Sequence, residues 1–349
     1  MRQRNSETSG VALSQGKDVL AVLNERRDSG SKPGMRSDKY RIALAVEGGG
    51  MRGLISGAML TAVRELGYGD CFDAVYASSA GAINSAYFVA GDDWPALVVY
   101  YDELVGKEFY DRRRVLRGQS ALSLDFVLDE VMEHRHPLDY RKVIDSPVQL
   151  CVLVTSIHSL TPMAMRGFSG KGALKSALRA SACIPLLAGP GVSIGDDMMM
   201  DGSLVLAHPV LAAEKDGFTH ALVIRTRMRE KATRPGAGVK LTALALNRVA
   251  AGLGTAYASA LADYDDLRLR LARDDATGDP PFPMMEIACH TGSHAVSRLT
   301  RDRGVLFAGM RAGYDAAYTA LTGTAAPKIY LRPAVDPALL AAKTETLPG

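Results

Sequence analysis

Two serines in this 349-residue chain sit in turns of a kind that exposes a nucleophile. The literal Gly-x-Ser-x-Gly pattern occurs at Gly191-Val192-Ser193-Ile194-Gly195, and a relaxed form beginning with alanine occurs at Ala77-Ser78-Ser79-Ala80-Gly81. A serine hydroxyl becomes an effective nucleophile at the tip of a strained strand-to-helix turn, where free N–H groups and the helix dipole favour negative charge. Ser79 has that setting, with the apolar run Ala74-Val75-Tyr76-Ala77 before it and a helix-competent run from Ala82 to Tyr87 after it. Ser193 follows Pro185 and Pro190, runs into Asp196-Asp197 and has no helical pattern behind it, so it reads as a turn beside a short strand. Context selects Ser79, although pattern matching alone selects Ser193.

Upstream lies Gly48-Gly49-Gly50-Met51-Arg52-Gly53, directly after an apolar strand. Consecutive glycines leave backbone N–H groups unshielded, and each such donor aimed at a developing oxyanion is worth about 3 kcal/mol of barrier. The same loop fits the dinucleotide fingerprint, glycines at 48, 50 and 53, which makes a dinucleotide-binding oxidoreductase the rival. That fold expects an acidic residue ending the second strand to hold the ribose. Asp73 has the right separation but precedes the strand it should end. Arg52 reads either as a surface arginine or as an orienting group that attracts an anionic headgroup.

Serine also needs a proton acceptor. Seven histidines are available, at 134, 136, 158, 208, 220, 290 and 294, and none sits in a distinctive motif. His208, followed by Pro209, is the best of them for a Ser-His-Asp triad. Met198-Met199-Met200-Asp201-Gly202-Ser203 offers a carboxylate at the end of an apolar strand. Held among apolar neighbours, such a group has a raised pKa and can take a proton directly from serine. Asp-Gly is equally a common surface turn. Local residues therefore leave the base open between the two.

The elements that must hold these groups alternate. Strands read at 41–47, 74–77, 148–156, 221–224 and 285–288, with a hairpin partner at 162–168. Helical patterns run over 53–66, 80–90, 94–104, 122–133, 140–144, 173–182 and 240–273. This pattern predicts an α/β fold with a mainly parallel central sheet flanked by helices on both faces. Residues 1–39 read as a polar tail with a possible short helix at 18–26 and a Ser-Gly and Pro-Gly linker. Residues 40–332 read as one catalytic domain and 333–349 as a C-terminal tail. Composition is ordinary for a globular protein, 47% hydrophobic and 23% charged, and a net charge of +3 gives no reason to expect a nucleic-acid partner. Cys71, Cys151, Cys183 and Cys289 lack metal-ligand spacing and suit a reduced, cytoplasmic setting. No apolar run is long enough for a span, so any membrane contact is expected to be peripheral. Arg112-Arg113-Arg114, with Arg117, reads as a solvated loop or a contact to acidic lipid headgroups.

Taken in order, the glycine loop, the Ser79 turn and Asp201-Gly202 resemble the patatin-like phospholipases, over about residues 41–210. Ala180-Ser181-Ala182-Cys183-Ile184-Pro185 is similar to the family's helix-to-proline segment ahead of the aspartate. Ala77 stands where the family turn begins with glycine, and Ser203 where it has Asp-Gly-Gly or Asp-Gly-Ala. The resemblance implies a three-layer α/β/α domain that hydrolyses acyl esters of lipids, as a phospholipase A or lysophospholipase does. It further implies a Ser79–Asp201 dyad without histidine, metal or other cofactor. The oxyanion site would lie in the Gly48, Gly49, Gly50, Arg52, Gly53 loop with Ala80, the amides of Gly49, Gly50 and Ala80 donating. A protein of the same fold that binds or regulates with little turnover is the second alternative. Oligomeric state leaves no trace in the sequence.

Overall fold

The structure is a computed structural model that describes residues 18–232, 237–277 and 281–327. The chain begins with α1 (Val19–Asp28), whose N-terminus is capped by the Asp18 carboxylate. Then come β1 (Ile42–Val46), α2 (Gly53–Glu65), β2 (Ala74–Ser78), α3 (Ala80–Ala90), α4 (Asp93–Asp102) and α5 (Tyr140–Ile144). After these follow β3 (Gln149–Ser156), β4 (Pro162–Met165), α6 (Lys171–Ala182), β5 (Val192–Ile194), β6 (Asp197–Asp201) and α7 (Pro209–Lys215). The chain continues with β7 (His220–Arg225), α8 (Ala237–Val249), α9 (Leu253–Thr277), β8 (Met284–Ala288) and α10 (Arg303–Thr322).

The strands form one eight-stranded sheet in the order β5-β6-β3-β2-β1-β7-β8, with β4 also paired to β3. β3, β2, β1, β7 and β8 run parallel, while β4, β5 and β6 join by antiparallel pairing. The sheet is therefore mixed but mostly parallel. Both faces are covered, which is why β1 and residues 221–224 of β7 are continuous apolar runs rather than alternating ones. Ile42, Leu44 and Val46 pack with α2, α3 and α10, whereas Ala43 and Ala45 pack with α7 and α9 on the opposite face. This is the three-layer α/β/α arrangement expected.

Several expectations change in detail. The segment read as a tail is docked from residue 18 onward: Val22 and Leu23 are fully buried, and buried Arg26 is held by Asp38 and Asp73. Five hydrogen bonds from one guanidinium fix this segment in a way that a Ser-Gly and Pro-Gly composition does not reveal. Residues 1–17 and the C-terminal tail at 333–349 lie outside the described residues. The helix expected from Leu122 starts instead at Leu124 and winds with i→i+5 bonds from Phe126 to Arg135. Leu122 is taken up by a bridge to Tyr110 and by its amide bond to the Leu187 carbonyl. The helices expected across 240–273 are α8 and α9. Among the described residues no helix is long and apolar enough to cross a membrane.

Candidate active site

Ser79 stands between β2 and α3 as the N-cap of α3, with φ +56° and ψ −136°. A non-glycine residue in that region costs about 1–3 kcal/mol and persists only where the surroundings impose it. Two contacts do so. The Ser79 amide donates to Ser181 Oγ at 2.9 Å, and the Ser181 hydroxyl donates onward to the Leu153 carbonyl at 2.7 Å. Gly81 is required at the next turn, since a Cβ there would lie 2.8 Å from the Val46 carbonyl oxygen. Ala77, by contrast, is an ordinary buried strand residue paired with Val46 and Val152, so this turn needs no glycine in its first position.

Asp201 reaches the same place through β3. Ser78 is registered against Leu153 and Asp201 against Val154, so neighbouring residues of one strand bring the two ends together. Gly202 fits because a Cβ would fall 2.5 Å from the Leu153 carbonyl oxygen. The Asp201 backbone is fixed by its amide bond to the Cys183 carbonyl and by the Thr155 hydroxyl on its own carbonyl. Its carboxylate is fully buried, and Oδ1 accepts from the Ser203 amide at 2.8 Å. Oδ2 has no partner of hydrogen-bond geometry. Burial pushes the Asp201 pKa up, while the nearby Ser79 hydroxyl, Ser203 and Arg298 restore only part of the difference. The side chain thus offers one orphan acceptor oxygen beside a serine.

The glycine loop divides by role. A Cβ on Gly48 would meet the Ser78 carbonyl oxygen at 2.6 Å and Ser79 Cβ at 2.8 Å, so the loop lies directly against the serine turn. Met51 donates to the Arg298 carbonyl, Arg52 to Gly49 and Gly53 to Gly50, which commits those three amides. Gly50 and Ala80 each open a helix, where an amide has no acceptor within its own helix. Gly53, its amide bonded back within the loop, contributes space. It is a packing residue, whose missing Cβ leaves room for Tyr100 Oη and Ala80 Cβ. The Arg52 guanidinium lies against Gly49, and its Nε is buried without a partner. The Gly48→Ala variant is expected to displace the turn and lower kcat on a soluble ester roughly 100-fold. Its far-ultraviolet circular dichroism should stay near that of the parent; unchanged kcat would show that the close approach is dispensable.

The alternatives sit elsewhere. Ser193 is exposed in β5, paired edge to edge with β6, and no helix follows it. His208 is fully buried; its Nδ1 accepts from Val210 and its Nε2 faces the Ile224 carbonyl. Burial pushes its pKa down to about 4, so it is a neutral structural group capping α7. Among the described residues no histidine lines the cavities at Ser79. Asp73 accepts from the Ile42 amide and pairs with Arg26 and Arg36 at the start of β2, the end of the strand opposite Ser79. It cannot hold a ribose beside the glycine loop.

Two cavities meet at Ser79. One is almost wholly apolar, lined by Tyr87, Val99, Leu104, Phe109, Val127 and Met132 among others. The other is wider and more polar; it holds Asp201, the loop glycines, Glu47, Arg52, Arg227 and Arg298. Burial works against the charge on Glu47, but the guanidiniums of Arg227 and Arg52 outweigh it and hold the carboxyl down to about 2. Ser181 sat in a segment the sequence had marked, but its bridging role shows only in three dimensions. Arg227 and Arg298 carried no sequence signal.

With that geometry in place, residues 44–214 match the family model described as patatin-like phospholipase. The uncharacterized protein YjjU of Escherichia coli (strain K12) is 29% identical over 189 residues, 53% of this chain and 52% of that protein. The chain thus spans about half the length of the curated relative it matches. The crystal structure of VipD from Legionella pneumophila is similar with a TM-score of 0.42 at 13% identity, covering 81% of this chain and 67% of that one.

Proposed function

Residues 44–214 place this chain in the patatin-like phospholipase family, and on that premise we propose that it hydrolyses acyl esters of lipids through Ser79 and Asp201. The observation that carries the reading is the buried, partnerless Oδ2 of Asp201 beside a serine held at positive φ. Ser79 Oγ attacks the acyl carbonyl carbon as its proton passes to Asp201. The oxyanion is met by the amides of Gly49, Gly50 and Ala80. Collapse of the tetrahedral adduct breaks the ester bond, and Asp201 returns the proton to the leaving alcohol. Asp201 then takes a proton from water, which attacks the acyl-serine; the Oγ–acyl bond breaks, the acid leaves, and Asp201 returns the proton to Ser79 Oγ. No histidine is needed if the carboxylate is dry enough to act as a base. The apolar cavity suits the acyl chain. The arginine-lined cavity suits an anionic leaving group. The four cysteines are buried and unpaired, which supports a reducing, cytoplasmic setting.

A fluorophosphonate probe tests the nucleophile directly. The parent and Ser193→Ala are expected to label and Ser79→Ala to remain unlabelled, read by in-gel fluorescence. Labelling that survives loss of Ser79 overturns the assignment. Absence of labelling in the parent would leave a binding protein of this fold.

A further inference from the structure

Among the described residues, the wider cavity is bordered by large apolar side chains that stand exposed. Leu241 and Leu244 of α8 are 68% and 55% exposed, and Leu241 lines the cavity itself. Of the side chains on α8 only Leu246 is buried, so most of this helix lies open. Leu186, on the loop after Pro185, is 61% exposed and held at φ +69°. An exposed leucine kept in a strained conformation is not explained by packing.

The loop that carries the basic run is anchored beside that rim. Arg112–Arg117 forms a short 3-10 helix with no buried residue, and Leu116 is its most exposed side chain at 89%. The loop bearing it is pinned at its base by the Tyr110–Leu122 bridge. One side of that base touches the rim through the Leu122 amide on the Leu187 carbonyl, and the other accepts at the Tyr110 carbonyl from Arg301, in the segment after cavity-lining Arg298. Arg112, Arg113 and Arg117 are exposed, and no carboxylate among the described residues pairs with them. Lys240 and Arg248 add exposed positive charge on α8.

We propose that this rim, the Arg112–Arg117 helix with Leu116, Leu186 and the Leu241/Leu244 face of α8, docks the Ser79 mouth onto an anionic lipid surface. Exposed leucines would enter the headgroup boundary while arginines meet lipid phosphates, the combination by which peripheral helices bind membranes. A bilayer fits better than a second copy of the chain, because unpaired arginines clustered on one rim would repel their own image. The choice of occupant rests on the lipid-hydrolase reading. Binding is measured separately from turnover.

The test is sedimentation of the full chain, as Ser79→Ala to prevent hydrolysis, with vesicles of phosphatidylcholine alone or mixed with phosphatidylglycerol. Binding is expected to the mixed vesicles and to weaken as salt rises, because the Debye length shortens. Each arginine is worth roughly fivefold, so Arg112→Ala/Arg113→Ala/Arg117→Ala should weaken binding about 100-fold. Leu116→Asp should weaken it about tenfold. In the Ser79-containing protein both sets should leave kcat/KM on a soluble short-chain ester unchanged, which shows that the variants fold. Equal binding by parent and variants, or salt-insensitive binding to neutral vesicles, overturns the proposal. So does a solution dimer that Leu116→Asp splits. Vesicle binding without fluorophosphonate labelling upholds the surface and rejects the hydrolase reading; labelling without vesicle binding does the reverse.

Discussion

Ser79→Ala is expected to lower kcat/KM on a lipid ester by roughly 10^5-fold, with KM little changed, because removing the nucleophile of a covalent mechanism removes nearly all of its acceleration. The two cavities at Ser79 are lined mostly by other residues and survive the change. The fold should survive as well, since the Ser79 amide, not its hydroxyl, holds the turn to Ser181. The same position separates function from stability. Alanine keeps the Cβ and with it the cost of φ +56°, while Ser79→Gly removes both the hydroxyl and the strain. Ser79→Gly should therefore be as inactive as Ser79→Ala but more stable by about 1–3 kcal/mol in chemical denaturation. If alanine and glycine at 79 gave equal stability, the turn would not be storing strain. Turnover that survived either change would move the nucleophile elsewhere.

Much of this arrangement was legible in the residues because it rests on short-range patterns. The continuous apolar runs at 42–46 and 221–224 read as strands covered on both faces, and they are. Ser79 could be chosen over Ser193 because a strand before and a helix after are local facts. The aspartate was different. Nothing near Asp201 distinguishes it from a surface Asp-Gly turn; it meets Ser79 because β2 and β6 register against adjacent residues of β3. Long-range register is not written in either segment, so the resemblance had to supply that half. Arg227 and Arg298 escaped notice for the same reason, since they follow β7 and precede α10 in stretches without a motif. The docked N-terminal segment was misread because composition marks flexibility but not the salt bridges of Arg26 that remove it.

Asp201→Asn carries the second large effect, and it moves activity and stability in opposite directions. Without a base the serine proton has no acceptor, and kcat should fall roughly 10^4-fold. In the parent the acid limb of kcat/KM reports the Asp201 carboxyl, whose pKa lies above the ordinary carboxylate value because it is buried. That limb should vanish from the residual activity of the variant. Stability follows from the same shift. A carboxyl whose pKa is higher in the folded state than in the unfolded one favours the fold at low pH, where it is protonated in both states. That advantage is lost as pH rises through the folded value. Asparagine never takes the charge: its oxygen can keep the Ser203 amide bond, and its amide occupies the place of the partnerless Oδ2. The variant should therefore melt at a higher temperature than the parent at neutral pH, by a margin that shrinks on acidification. His208→Ala supplies the contrast, losing stability through its buried cap on α7 while turnover by the folded fraction persists. The reverse result, Asp201→Asn active and His208→Ala folded but inactive, would replace the dyad with a histidine-based site.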